Sequence, residues 1–461
     1  MMLNSIPEHV INLIERFNLF LVGGTVRDIV MERKPRDFDL VGKNIEEVLN
    51  NLKSKGKIVI LDEKEKEYRI VFKDYWIDLS EMKGITIEED LKKRDFTINS
   101  MAIGKSGELI DPFNGKEDIE NRLLRTPHTE NVIKDPVRIL RAFRFMATLD
   151  FNIEKNTIFS ILDNRSLLKK VAGERIHQEL LLILESKNVY KAFESMCRYK
   201  VMDIIFPEIE GLRKTSQRYY NEQNLLYHSL LVLKFLEEQL YFSNIFYEPW
   251  YILGAFLHDI GKPVTISYDE EGNTHFHGHD KEGARLIENR LKDLRFSGRE
   301  IEDIKNIISF HMYPHHLAGI ENLTSKAVAR FLRRTGKYAD FLLLFAESDA
   351  KASPPREGGL NGYKRLREMI NEIRQKSKNK PRRIITGHDL IAMGFEPSPL
   401  FRIILEDVQD EFISGNLKTK EDALKYIQDK YRYRNKKEGA YDKNNSDSPA
   451  HTGDNGSKTV Y

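Results

Sequence analysis

Two aspartates stand two positions apart in the stretch RDFDLV, Asp37 and Asp39, flanked by apolar residues. On a β-strand residues i and i+2 share a face, so both carboxylates point one way while Phe38 and Leu40 pack behind them. Two carboxylates held side by side repel unless a cation sits between them. A hard divalent ion such as Mg2+, which takes carboxylates together with phosphate oxygens, suits that pair. Asp78, in YWIDLS, stands between Ile77 and Leu79 and adds a third acid if its strand neighbours the first. Upstream, Gly23-Gly24 lets the backbone come close to a phosphate chain, and the amides of a following helix start add a positive end. Arg27 is placed for a charged contact. Taken singly, the glycine pair reads as a tight turn and the Asp-x-Asp as a solvated strand edge. Together within 17 positions they point to metal-assisted phosphate chemistry.

A second group of chemistry-bearing residues is made of histidines. Eight of the 13 in the chain fall between His228 and His316. His258-Asp259 ends the apolar run YILGAFLHDIGKP, and His228 in LLYHSLL precedes it. His279 (FHGHDKEGA) and His311 (ISFHMYPHH) follow, and Asp349 closes the series in FAESDAKAS. A set of His and Asp of this kind holds one or two divalent ions such as Mn2+, Fe2+, Ni2+ or Mg2+. His275, His277, His315 and His316 are spare and read as surface histidines.

These residues need elements to position them. The first 20 residues carry Val10, Leu13, Ile14 and Phe17 at helical spacing; LFLVGG reads as a strand entering a turn and TVRDIVM as a helix start. RDFDLV, KIVILD, YRIVFK and YWIDLS read as strands, and MAIG…GELIDP as a hairpin. The fold class is α+β over residues 1–124, with a mixed sheet, and helical beyond. PVRILRAFRFMATL opens with Pro136 at a first-turn position, and GERIHQELLLILES is a second amphipathic helix. Asp135 and Arg138, three apart, are read onto one helical face. With 461 residues at roughly 150 per domain, about three domains are expected. The formal net charge is only +2, so affinity for nucleic acid has to come from local patches. Residues 121–176 supply one, with 11 Lys/Arg against 6 Asp/Glu. A single cysteine, Cys197, excludes an internal disulfide framework and fits a reducing compartment. The apolar run Leu19–Val22 is too short for a secretory signal or a membrane span, so the chain reads as cytoplasmic. The stretch after Lys437 is polar and reads as disordered.

The blocks LVGGTVRDIV…RDFDLV, EEDLKKRDFTINSMAI, IDPFNGKEDIENRLLR, KDPVRILRAFRF and GERIHQEL occur in the order found in class II tRNA nucleotidyltransferases and bacterial poly(A) polymerases. Over roughly residues 15–210 the chain resembles that family. The resemblance implies that Asp37 and Asp39 hold two Mg2+ ions, and that Gly23, Gly24 and Arg27 grip the triphosphate. Arg94 and Asp95 then contact phosphate and ribose, braced by Asn99. Asp135 and Arg138 are implied to read the incoming base: Asp accepts from the exocyclic amine of cytosine or adenine and Arg donates to the ring acceptors, whereas guanine and uracil present a carbonyl to the carboxylate. Arg141 and Arg144 continue that face toward phosphate. One departure stands out. Many members have Glu before the Asp to steady the Arg, and here it is Lys134, so Arg138 is held otherwise or selectivity is altered. The histidine region resembles the HD phosphohydrolase superfamily, which implies His228, His258, Asp259, His279, His311 and Asp349 as ligands and hydrolysis of cyclic or terminal phosphates.

The domains read accordingly: 1–124 catalytic head, 125–210 helical neck with base recognition, 211–375 HD-type domain, 376–437 helical tail with a possible tRNA contact, 438–461 disordered. The expected partners are tRNA, CTP and ATP. Asp39 and Arg94 are 55 positions apart (94 − 39). Family members that add the whole CCA end carry a flexible loop in this interval, and here it looks short, which resembles enzymes that add only CC. Full CCA addition and poly(A) addition are the alternatives. From other classes come an HD hydrolase with an RNA-binding N-terminal half and a non-enzymatic tRNA-binding protein. The latter rests on the basic neck and on KYRYR over 430–434. The intact Asp37, Asp39, Arg94, Asp95 and Arg138 argue against a decayed N-terminal half.

Overall fold

The computed structural model describes residues 6–35, 37–216, 224–353, 359–377 and 383–441, and the side chains of all of these but 377 and 432–441. The chain divides into two compact units, one of Met1–Ser309 with Lys351–Pro354 and one of Phe310–Ala350 with Pro355–Tyr461. Among the described residues no helix is long and apolar enough to cross a membrane.

The first unit opens with α1 (Glu8–Phe17), whose Val10, Leu13 and Ile14 are buried at the helical spacing of the sequence. Then come β1 (Phe20–Val22), α2 (Gly23–Val30), β2 (Asp37–Gly42), α3 (Ile45–Leu52), β3 (Lys57–Asp62), β4 (Glu67–Val71) and β5 (Trp76–Glu81). After α4 (Ile87–Lys92) and a 3-10 turn at Thr97–Asn99 follow the short hairpin β6 (Ala102–Ile103) and β7 (Leu109–Ile110). The seven strands form one sheet in the order β3-β4-β5-β2-β1-β6-β7. Only β2 and β5 run parallel; the other neighbours are antiparallel. The sheet is mixed, as the sequence predicts.

Alternation along β2 decides how the sheet is used. Phe38 and Leu40 are buried at 2% and 1% exposure, in a core shared with Val10 and Leu13 of α1 and Val48, Leu49 and Leu52 of α3. Asp37 and Asp39 take the opposite face, half-buried. The parallel register sets Asp39 opposite Asp78.

Beyond the sheet the first unit is mostly helical: α5 (Gly115–Glu120), β8 (Leu123–Leu124), α6 (Glu130–Lys134), α7 (Arg138–Leu149), β9 (Asn152–Ile153), α8 (Lys155–Asn164) and α9 (Gly173–Leu184). One expectation fails here. Asp135 does not share a helical face with Arg138, because α6 ends at Lys134 and Asp135 is extended, with φ −139 and ψ 89. A residue before proline is pushed out of the helical region by the proline ring, so Pro136 breaks the run and α7 starts two residues later. The helices Leu225–Phe242, Trp250–Phe256 and His279–Asp293 complete the part used below. A Cβ at Gly173 would lie 2.1 Å from the Asp293 carbonyl oxygen, so the start of α9 packs directly on the end of that last helix.

The second unit contains the helices Ser325–Thr335, Asn361–Ser377 and Pro399–Ser414, and ends in Lys420–Tyr441. Its core includes Leu390, Ile404, Val408, Phe412 and Ile427. Of the KYRYR stretch, Lys430 and Tyr431 both bond to Asp407, at 2.9 and 2.8 Å, and are engaged within the unit. Most of the tail read as disordered, residues 442–461, lies outside the described residues.

Leu40→Ala removes a fully buried side chain from behind the carboxylate pair. It is expected to lower stability by about 2–5 kcal/mol, read as a lower urea midpoint by circular dichroism.

Candidate active site

The carboxylate pair is held by the turn that precedes it. Gly23 has φ +63, the left-handed region that favours glycine, and a Cβ there would lie 2.8 Å from Asp39 Oδ2. Any side chain would displace the carboxylate. Next in sequence, the Gly24 amide donates to Asp39 Oδ2 at 3.1 Å. Thr25 ties the two segments together: its hydroxyl donates to the Asp37 carbonyl (3.2 Å) and accepts from the Asp39 amide (2.8 Å). Thr25 escapes a reading of the sequence, because its role exists only once β2 lies beside the start of α2.

Asp37, Asp39 and Asp78 each place a carboxylate oxygen within 4.8 Å of the others. The electrostatic cost is visible on two of them. Burial first, then the neighbouring Asp37 charge, push Asp39 up to about 6, against the pull of Arg94. Burial and the charges of Asp78 and Asp28 raise Asp37 as well. Asp78 is the best neutralised of the three, through two bonds from Arg69 at 2.7 and 2.8 Å. An all-oxygen cluster of like charges, with Asp37 and Asp39 raised in proton affinity, fits a hard divalent cation.

Around the acids the cations are arranged in pairs with further acids. Arg94 is held by the buried Asp90, at 3.0 Å. The Asp95 carboxylate accepts from its neighbour Phe96 N (2.8 Å), from Asn99 Nδ2 (3.0 Å) and from Arg141 Nε (2.7 Å). Burial opposes ionisation of Asp95, but Arg141 and Asn99 hold its carboxyl well below the usual range. Asn99 in turn accepts from Arg27, at 3.1 Å. Glu179 lies 3.8 Å from Arg141 and 3.3 Å from Arg144. Arg27, Arg141 and Arg144 all stand over the Phe145 ring, at 5.4, 5.6 and 4.5 Å from its centroid. Arg141 and Arg144 are therefore engaged by acids and by an aromatic face, where the sequence suggests a stripe directed at phosphate. Glu179 and Phe145 are further residues that sequence reading misses.

Asp135 and Arg138 meet in spite of the helix break, at 3.9 Å. Arg175 grips Asp135 with two bonds, at 2.9 and 3.0 Å. Arg138 donates to the carbonyls of Arg94 and Asn131, at 3.3 and 3.4 Å. Lys134 plays no part in this. It is exposed and pairs with Glu130, at 3.2 Å.

The histidine cluster has four of its members in the first unit. Asp259 is buried, and its carboxylate lies 3.2 Å from His258 Nε2, 3.6 Å from His279 Nε2, 3.9 Å from His228 Nε2 and 2.8 Å from Lys262 Nζ. Nδ1 of His258 faces the Ala255 carbonyl and Nδ1 of His279 faces the Phe276 carbonyl, both at 2.8 Å. A carbonyl only accepts, so each Nδ1 carries the proton and each Nε2 turns its lone pair toward the carboxylate. That arrangement fits a cation between them. His311 and Asp349 belong to the second unit, both buried. There His315 Nε2 is 2.9 Å from Asp349 and its Nδ1 is 2.6 Å from the Tyr363 hydroxyl, so His315 is no spare surface residue. His275 pairs with Asp269, at 2.9 Å, and stacks on His277.

Residues 19–125 match the poly A polymerase head domain family, 150–212 the probable RNA and SrmB-binding site of polymerase A, and 225–351 the HD domain. The chain is 27% identical over 421 residues to an A-adding tRNA nucleotidyltransferase of Deinococcus radiodurans, covering 88% of this chain and 94% of that one. It is 27% identical over 428 residues to a CC-adding tRNA nucleotidyltransferase of Thermus thermophilus, covering 88% and 92%. A multifunctional CCA protein of Haemophilus influenzae is 30% identical over 324 residues, 64% of this chain and 75% of that one. In fold, the chain is similar to the Thermotoga maritima CCA-adding enzyme complexed with tRNA (TM-score 0.66, 23% identity), covering 93% of this chain and 97% of that one.

Two outcomes test this geometry. Asp39 binds a proton below about 6 and is ionised above it, and a metal has to displace that proton. Mg2+ demand for nucleotide incorporation should therefore rise by roughly tenfold per unit as pH falls below that value, and level off on the alkaline side. Thr25→Val keeps the shape but removes both hydroxyl bonds; kcat should fall by about tenfold or more, with the fold unchanged by circular dichroism.

Proposed function

This chain belongs to the family of tRNA nucleotidyltransferases and poly(A) polymerases, and from that premise we propose that it adds cytidine, and not the final adenosine, to the 3′ end of tRNA. The observation that carries the cytidine reading is the architecture between Asp39 and Arg94. Every connection between elements there has five residues or fewer, the longest running from Met82 to Thr86. That leaves no flexible loop to re-aim the base-reading pair from a pyrimidine to a purine.

In this reading Asp37 and Asp39 hold Mg2+, with Asp78 beside them. Mg2+ held there would lower the pKa of the RNA 3′-hydroxyl and offset the negative charge that develops on the departing pyrophosphate. The chain's own residues do the rest. Gly23 and Gly24 allow close approach of the triphosphate, and Arg27 and Arg94 offer it guanidinium donors. The rigid Asp95–Asn99–Arg141 network keeps the sugar side of the site in place. Asp135 accepts from the exocyclic amine of cytosine, and Arg138 donates to the ring acceptors beside it. Uracil fails because its carbonyl would oppose the Asp135 carboxylate.

The buried set His228, His258, Asp259 and His279 supports a second, metal-dependent phosphohydrolase activity on cyclic or terminal phosphates. Mn2+, Ni2+ or Mg2+ are candidate occupants; when bound, such an ion activates water for attack on phosphorus. Lys262 beside Asp259 then offers a donor to a phosphate oxygen.

A radiolabel assay tests the transferase reading. tRNA lacking its 3′ end is offered CTP or ATP singly and together, with Mg2+. CTP alone should give two additions, and tRNA already ending in CC should take no label from ATP. Addition of the adenosine would replace the CC reading with full CCA or A addition, and incorporation of neither nucleotide would overturn the assignment. Asp37→Ala should lower incorporation by about a thousandfold or more while leaving phosphohydrolysis by the histidine cluster intact.

A further inference from the structure

Behind the sheet, on the face opposite the carboxylates, lies a cleft of about 470 Å³ between α1, α3 and the β4–β5 turn. Its walls combine two kinds of group. Phe72 and Tyr75 stack at 5.1 Å with 21° between their planes, and form one aromatic wall. Arg16 of α1 and Lys55 after α3 bring two cationic side chains, with the Asn51 amide alongside. His9 bonds through its ring to the Tyr75 hydroxyl, at 2.7 to 2.8 Å, which fixes the aromatic wall against α1. Among the described residues no carboxylate lines the cleft. In a chain with 71 acids against 73 bases, a concave surface with bases and no acid stands out.

Clefts of this size enclose small organic ligands, with polar groups fixing orientation. A planar ring favours the aromatic wall, and a phosphate favours Arg16 and Lys55. We propose that this cleft binds a mononucleotide, base against Phe72 and Tyr75 and phosphate toward Arg16 and Lys55, separately from the transfer site. A nucleotide held here is not the reacting one, because the sheet itself stands between the cleft and Asp37, Asp39 and Asp78. The cleft is not isolated from them, however. Tyr75 meets Phe38 edge-on, with centroids 5.5 Å apart, and Phe38 is the residue between the two aspartates.

Calorimetric titration of the full chain with AMP, without divalent metal, tests the assignment. The double substitution Arg16→Glu with Lys55→Glu changes two exposed side chains and leaves the core untouched. It should weaken one AMP binding event by about tenfold or more, an event that Arg138→Ala leaves in place. Phe72→Ala should weaken the same event, and adenosine or inorganic phosphate alone should bind it less tightly than AMP. AMP binding that is unchanged by the double reversal, or no binding up to millimolar concentration, overturns the proposal. Either result leaves the transfer reading standing, since that reading rests on CTP incorporation.

Discussion

Like charges at close range organise this molecule. Three carboxylates meet on one face of a sheet whose other face buries Phe38 and Leu40 against α1 and α3. Burial and mutual repulsion push Asp39 up to about 6. Such a cluster persists only if the backbone beneath it cannot relax, and each neighbour serves that end. Gly23 leaves room that a Cβ would fill, Gly24 gives Asp39 an amide, and Thr25 links the two aspartate residues through their backbone. Below them, Phe38 and Leu40 are locked into the core with α1 and α3. A divalent cation bound at this face would remove the penalty that the fold imposes.

From that face, charge alternates outward into the helical part. Arg94 is backed by Asp90, Asp95 by Arg141, and Arg141 and Arg144 by Glu179. Each link is partly or fully buried, and removing one partner would strand the other in a poorly solvating environment. This makes the network stiff. It also ties Glu179 of α9 to Arg141 and Arg144 of α7, two cations that would otherwise face each other without an acid between them.

Much of this was legible in the chain, and the illegible parts share a cause. Asp37 and Asp39 could be assigned to one face because strand periodicity depends on nothing beyond the strand. The glycine pair announced a turn, and the strands and the first helix showed their apolar spacing. Asp135 stands off the helix because Pro136 constrains the residue before it more strongly than the helical pattern around it does. Thr25, Arg175 and Glu179 carry no local signal at all. Each matters through a partner brought close by tertiary structure, as with Arg175 and Asp135, 40 positions apart. His315 likewise shows nothing local, since its partners Asp349 and Tyr363 lie well downstream.

Lys134 leaves Arg138 to other anchors. A glutamate in that place would neutralise the arginine it steadies. Here Lys134 turns away to Glu130, and Arg138 rests on two backbone carbonyls, those of Arg94 and Asn131. A carbonyl orients a guanidinium without cancelling its charge, and the Asp135 carboxylate stands further off, at 3.9 Å. Asp135 is oriented separately, by Arg175. Arg138 and Asp135 are thus anchored from different directions, one by main chain and one by a side chain of α9. Two independent anchors hold a donor–acceptor pattern in place even though proline has broken the helix between its two halves.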